Sequence, residues 1–239
     1  MAITFVQKVS GAGATLVLNN IVAGNALFMP DGYFRGVTTG LAEAVPTDTN
    51  GVFVASKADV PVLVGSIGEV GVGTYHQQNA AAGTHTVTPE GNTAHETALA
   101  EFSGMATSGI LDQVVGNERR DAVGTNLASG NTPATTQADE LAISAFVWGT
   151  SGAGTNPIGI VDPIANYTTL HITQDGISGL PVHHSYRILA AIGAQSVTEN
   201  WTDNEVASEK ISIATFKAPA AATQIPYQPW LQRGPFMAS

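Results

Sequence analysis

The chain has no cysteine among its 239 residues, which excludes a disulfide framework, thiolate metal ligands and a thiol nucleophile. Charge is scarce too: Asp, Glu, Lys and Arg make up 12% of the sequence, about half the ~25% usual in globular domains. What charge there is runs acidic, with 9 basic residues against 19 acidic ones and a formal net charge of −10. No basic stripe interrupts that field. Direct binding of nucleic acid, which rests on Lys and Arg neutralising phosphates, is therefore not expected. Apolar runs stop after about ten residues at Gly, Pro or polar positions, short of the ~20 needed for a helix to cross a bilayer. Residues 1–9 lack a basic stretch followed by a long apolar run, so neither a signal peptide nor a membrane contact is expected.

What is present is β-forming. Hydrophobic residues reach 44%, and short runs rich in β-branched and aromatic residues recur between Gly, Asn, Asp, Pro and Thr. These runs predict strands at residues 3–9, 15–18, 26–29, 52–55, 60–64, 70–76, 85–88, 96–102, 141–148, 168–173, 182–189, 196–201 and 210–216. Some alternate cleanly: Leu170 and Ile172 share one face of 168–173, and Ile211 and Ile213 oppose Lys210, Ser212 and Ala214. Helical periodicity is confined to single turns at 41–44 and 205–209. The pattern predicts an all-β, antiparallel sandwich of jelly-roll or Ig-like type.

The chain also repeats itself weakly. Gly83-Thr84-His85-Thr86-Val87-Thr88 is similar to Gly193-Ala194-Gln195-Ser196-Val197-Thr198, each followed by Ala-x-Phe (Ala100-Glu101-Phe102, Ala214-Thr215-Phe216) and preceded by a tyrosine, Tyr75 or Tyr186. Two half-units, about 1–104 and 105–217, follow from this, either as separate domains joined through 126–134 or as interlocked halves of one sandwich spanning 1–217. The single interlocked domain is the preferred reading. Residues 218–239 form an extended segment with prolines at 219, 226, 229 and 235, which cannot pair as a central strand. Its Tyr227, Trp230, Leu231 and Phe236 are the candidate partner-binding residues, because large apolar anchors carry much of the energy of docking.

Catalytic patterns are missing. His183 and His184 are adjacent in a strand and point to opposite faces, and His76, His85, His95 and His171 have no metal-ligand spacing. Gly176-Ile177-Ser178-Gly179-Leu180 and Gly149-Thr150-Ser151-Gly152-Ala153 each lack the second glycine of a nucleophile elbow. Glu96 and Glu101 lie an odd number of residues apart in one strand and face opposite ways, and Asp48-Thr49-Asn50-Gly51 reads as a β-turn rather than a calcium loop. No catalytic, metal-binding or cofactor-binding residues are assigned, and no enzyme activity is expected.

Four segments in order carry a family resemblance: Ala98-Leu99-Ala100-Glu101-Phe102-Ser103-Gly104 with Leu111-Asp112-Gln113, then Thr135-Thr136-Gln137-Ala138-Asp139-Glu140-Leu141, Tyr186-Arg187-Ile188, and Ala214-Thr215-Phe216-Lys217. Their order and spacing over roughly 70–217 resemble a β-sandwich module of tailed-bacteriophage virion proteins, found also in some bacterial surface proteins. The resemblance implies a virion structural protein, foremost a capsid decoration or minor capsid (cement) protein. Its partners would be the major capsid protein or neighbouring structural subunits, its own state homo-oligomeric, and its location the capsid surface. A carbohydrate- or receptor-binding module of a tail, fibre or cell surface, using Trp148, Tyr33-Phe34 or Trp201, is the alternative. A tail or baseplate component is the third.

Overall fold

The computed structural model describes residues 2–13, 15–36, 40, 43–57, 61–64, 68–89, 94–150, 159–162, 164–174, 180–202 and 206–220. Sixteen strands run in chain order: β1 (Thr4–Ala12), β2 (Leu16–Ile21), β3 (Ala26–Arg35), β4 (Thr47–Asp48), β5 (Val54–Lys57), β6 (Val62–Val64), β7 (Gly68–Gln77), β8 (Gly83–Thr88), β9 (Ala94–Ser103), β10 (Leu111–Val123), β11 (Asn126–Ala128), β12 (Glu140–Thr150), β13 (Thr168–Thr173), β14 (Val182–Leu189), β15 (Thr198–Asn200) and β16 (Val206–Lys217). No helix occurs among the described residues. The protein is an all-β sandwich.

Two main sheets face each other. One has the order β1-β9-β3-β7-β5, with β6 also on β7; the other runs β10-β16-β12-β14-β13. All pairings are antiparallel. Alternate residues of β3 and β9 (Ala26, Phe28, Ala98, Ala100, Phe102) meet Leu141, Ile143, Ala214 and Phe216 from the opposite sheet. Edge-to-face aromatic contacts stitch this core, with Phe28 4.6 Å from Phe216 and 5.6 Å from Phe102. Valines continue it: Val62, Val64, Val70 and Val72 pack on Ala145, Val147 and Val182.

The outer faces are buried as well. A three-stranded sheet, β2-β8-β4, covers the first main sheet, with Leu16, Leu18 and Val87 packed on Leu27, Met29 and Leu99. A two-stranded sheet, β11-β15, covers the second, with Leu127 and, just before β15, Val197 packed against Phe146, Trp148, Ile211 and Ile213. Strand order repeats between the halves: first strand on last, last on the long central strand, that one on the next. The repeated sequence segments occupy matching places, Ala-x-Phe in β9 and β16, the tyrosines in β7 and β14.

Each expected strand overlaps an observed one, while β4, β10 and β11 lie outside the expected set. Three expectations are corrected. Residues 206–209 extend β16 rather than forming a helical turn. Asn126–Ala128, assigned to a linker, is β11 and pairs with β15. Leu170 and Ile172 do not share a face, because a bulge between Thr169 and His171 sends Leu170 to the inner core and Ile172 to the outer one. Leu41 and Ala42 of the expected helical turn at 41–44 lie outside the described residues.

The close approach of the main sheets depends on inner-face glycines. A Cβ on Gly32 would lie 2.5 Å from Val182 Cγ1 and 3.3 Å from Val147 Cβ, and one on Gly149 would lie 2.7 Å from Val70 Cγ1. The valines are fully buried and stiff at χ1. Gly32→Ala is therefore expected to lower unfolding free energy by about 1–3 kcal/mol through overpacking in urea titrations. Gly36→Ala, where an added Cβ meets nothing within 4 Å, should leave it nearly unchanged.

Candidate functional site

Three of the segments that carry the family resemblance, 111–113, 135–141 and 214–217, meet at one corner of the second main sheet, while 98–104 lies in the first main sheet and 186–188 in β14. Asp112 leaves the edge strand β10 and accepts hydrogen bonds from the Thr136 backbone N–H and hydroxyl, both at 2.7 Å. Lys217 Nζ, at the end of β16, lies 3.7 Å from Asp112 Oδ1. Gln137 Nε2 donates to the Ala218 carbonyl at 3.0 Å. Glu140 opens β12 opposite Lys217 and is fully buried beside Asp112 and Thr215. Thr215 Oγ1 accepts from the Gln113 amide at 3.2 Å. Residues far apart in sequence thus form one polar latch that holds 135–140 against β10 and β16.

The two carboxyls titrate apart. Burial pushes the Glu140 carboxyl up to about 7, helped by the hydrogen bond it shares with Asp112. Partial desolvation opposes ionisation of Asp112, but the Thr136 hydrogen bonds, the contact with Glu140 and the Lys217 charge outweigh it and hold its pKa below the usual range. Such a divergent pair is the pattern of an acid and a base. Here Glu140 is enclosed beside Asp112 with no solvent exposure, so the pair closes a loop.

A second cluster lies on the outer face of the first main sheet, beyond the cover of β2-β8-β4. His95 Nδ1 is 2.8 Å from Asp31 Oδ2 and His95 Nε2 is 3.1 Å from Glu43 Oε1. Tyr75 donates its hydroxyl hydrogen to Glu43 Oε2 at 3.4 Å. Desolvation raises the Asp31 pKa against the lowering effect of His95. Asp31 and His95 follow from the parity of β3 and β9, whereas Glu43 is 12 residues from Asp31 in a segment with no regular pattern. No ligand spacing in the sequence announces the trio.

The histidines are strand residues with partners rather than surface groups, five of them buried and His171 half-buried. His85 pairs with Asp48 at 2.6 Å, His171 with Glu96 at 2.8 Å and His183 with Glu199 at 3.1 Å. His183 and His184 do face opposite ways, one to Glu199 in β15, the other to the Glu96 carbonyl across the sandwich at 2.9 Å. Glu96 and Glu101 also diverge, the second accepting from Gln7, Asn25 and the Val22 amide. Tyr33, Trp148 and Trp201 are core residues. Residues 151–158 and 175–179, which include most of both elbow-like motifs, and the anchors Tyr227, Trp230, Leu231 and Phe236 lie outside the described residues.

A neutral groove of about 600 Å³ opens where the β2–β3, β4–β5 and β7–β8 connections meet. Amides of Asn50, Gln77, Gln78 and Asn79 line it beside Val52 and Val54, and no charged residue contributes. Comparison with known protein families, with curated proteins and with solved structures finds no match for this chain.

Two outcomes follow for pH. Glu140 holds its proton in the folded protein up to about pH 7, so its contribution is complete below the unfolded value near 4.3 and lost as pH rises through 7. Glu140→Gln, with a permanent donor, should match the wild type at pH 4 and exceed its unfolding free energy at pH 8.5 by on the order of 1–2 kcal/mol. His184 behaves oppositely. Burial first, then the neighbouring His171, pull its pKa down to about 3, so the unfolded chain takes up the proton first and stability falls as pH drops below about 6.5. His184→Gln should flatten that acid limb in the same titrations.

Proposed function

We propose that this chain is a bacteriophage virion structural protein, a capsid decoration or minor capsid protein that docks on other virion subunits. The observation that carries the reading is the latch of Asp112, Thr136, Glu140 and Lys217. Three of the segments that resemble the phage module, 111–113, 135–141 and 214–217, have a joint structural reason for their order and spacing, since each supplies part of one corner of a sheet. Composition supports it further. A surface with little charge and no exposed aromatic among the described residues suits broad contacts between subunits, and an acidic net charge suits a position away from packaged DNA. On this reading Tyr227, Trp230, Leu231 and Phe236 are the anchors that seat the C-terminal segment on a neighbour.

A second reading, glycan or receptor binding, is favoured by the groove: its amides and exposed Val52 and Val54 suit a neutral, hydroxyl-rich ligand. The aromatic platform expected for it is absent from the described surface, because Trp148, Tyr33 and Trp201 are buried.

Quantitative mass spectrometry of purified particles separates the readings. Hundreds of copies per particle are expected for a decoration protein, and truncation after Ala220, which keeps Ala218 in the core and the latch, or Trp230→Ala with Tyr227→Ala, should abolish particle binding while leaving the unfolding transition intact. A few copies per particle together with glycan-array binding lost in Gln78→Ala would favour the second reading. Absence from particles would overturn the first.

A further inference from the structure

We propose that the chain forms an amide cross-link within itself, between the side chains of Asp112 and Lys217, with Glu140 carrying the protons. The three residues stand on adjacent strands of the second main sheet, in the order β10-β16-β12. Glu140 and Lys217 are direct partners across β12 and β16, so their side chains leave the same face. Asp112 lies at the register shift between Leu111 and Gln113, and a bulge of this kind re-aims a side chain. It leaves Asp112 facing Lys217, whose Nζ is 3.7 Å from Oδ1. A small rotation of the flexible lysine stem brings Nζ to the ~3–3.5 Å of an attack on Cγ.

The surroundings suit condensation. The Asp112 side chain is 3% exposed and Glu140 not at all, while Lys217 is partly exposed. Both Asp112 oxygens accept from Thr136 at 2.7 Å, Oδ2 from the backbone N–H and Oδ1 from the hydroxyl. These donors sit where negative charge develops when an amine adds to the carboxyl carbon. Both Glu140 oxygens are shut off from water, with Asp112 and Thr215 beside them. Burial keeps a proton on Glu140 up to about pH 7, whereas Asp112 gives its own up below the usual range. Lys210 also meets a carboxylate, Glu118 at 2.9 Å, but the Glu118 side chain is 56% exposed. Water at that pair favours two separate ions.

The step balances without a co-reactant. Within the pair, the Lys217 ammonium gives one proton to the Asp112 carboxylate, leaving an amine and a carboxylic acid. Nζ then adds to Cγ, and charge gathers on the oxygen held by the Thr136 N–H. Glu140 gives its proton to the departing oxygen, the C–O bond breaks, water leaves, and Glu140 recovers a proton from Nζ. One C–N bond forms, one C–O bond breaks and nothing is oxidised. Free acids and amines in water prefer to stay apart as ions. Two groups fixed on one sheet face react at an effective molarity on the order of 10⁵ M, which offsets that preference. The bond ties the edge strand β10 to the end of β16, the strand that precedes the C-terminal segment.

The test is the mass of the full chain, purified folded and held overnight at pH 7. The wild type is expected to be lighter than its sequence by one water, about 18 Da. A tryptic digest should show no cleavage after Lys217 and one pair of peptides joined through Asp112 and Lys217. Lys217→Arg and Asp112→Ala should regain the full mass, and Glu140→Gln should form less than about a tenth of the bond. Lys210→Arg, at the separate Lys210–Glu118 pair, should keep the loss of water. The pH titrations of Glu140→Gln against wild-type Glu140 are then run with Lys217→Arg in both chains, so that neither is bridged. A wild type at full mass with normal cleavage after Lys217 overturns the proposal and leaves Asp112 and Lys217 as an ion pair; this result needs no variant to fold. A loss of water that persists in Lys217→Arg would overturn it too, since ring closure at an aspartate removes the same mass. Full bond formation in Glu140→Gln would overturn the part assigned to Glu140.

Discussion

An antiparallel strand with one wet face can give its polar residues to water, but a strand covered on both sides has no such outlet. Both main sheets are covered on both sides, and β7, β9, β12 and β16 are buried almost end to end. Every polar residue in them needs an internal partner, since a lone buried charge costs several kcal/mol. Glu101 is met by Gln7, Asn25 and the Val22 amide, Glu209 by Arg119, and Glu96 and Glu199 by histidines. With only 9 lysines and arginines in the chain, imidazole takes over much of the counter-charge. The histidine–carboxylate pairs therefore sit at the junctions of layers: His171–Glu96 between the main sheets, His183–Glu199 between the second sheet and its cover.

The same constraint explains what the sequence disclosed and what it hid. Runs such as Leu141–Trp148 and 210–216 are legible as strands because their β-branched and aromatic content is high whichever face is wet. The faces were harder. Ile211 and Ile213 do oppose Ser212 and Ala214, yet both sets are buried, and only the outer sheets, with their short strands, make that so. Edge strand β10 escaped because Gly116-Asn117-Glu118-Arg119-Arg120-Asp121 is half exposed and polar, which reads as a loop. The bulge at Thr169–His171 is a tertiary choice that brings His171 to Glu96, and no local pattern encodes it.

Sites were legible in proportion to how local they are. The opposite directions of His183 and His184 follow from strand parity alone. The Asp112–Thr136–Glu140 latch was visible only as motif order, because its contacts span 24 residues or more and depend on the order β10-β16-β12. The Asp31–Glu43–His95 trio had less still to show. It needs the register of β3 on β9 and the path of the chain after Arg35, and neither is fixed by composition or spacing.

Free sheet edges bear on how such a protein can join others. An open edge invites strand addition unless bulges, charges or shortness discourage it. Each edge here carries one of these. In β1 a shift at Phe5–Gln7 precedes Lys8, whose ammonium donates to the Thr169 and Leu170 carbonyls on the opposite edge. In β10 the ladder breaks between Arg119 and Ala122, where Asp121 takes a positive φ of 43°. β13 has its own bulge, and β5 is four residues long with another. Growth by pairing at the β1, β5, β10 and β13 edges of the two main sheets is therefore discouraged. A docking role for this chain has to run through side-chain surfaces, such as the neutral groove beside Val52 and Val54, or through the proline- and aromatic-rich segment that ends the chain.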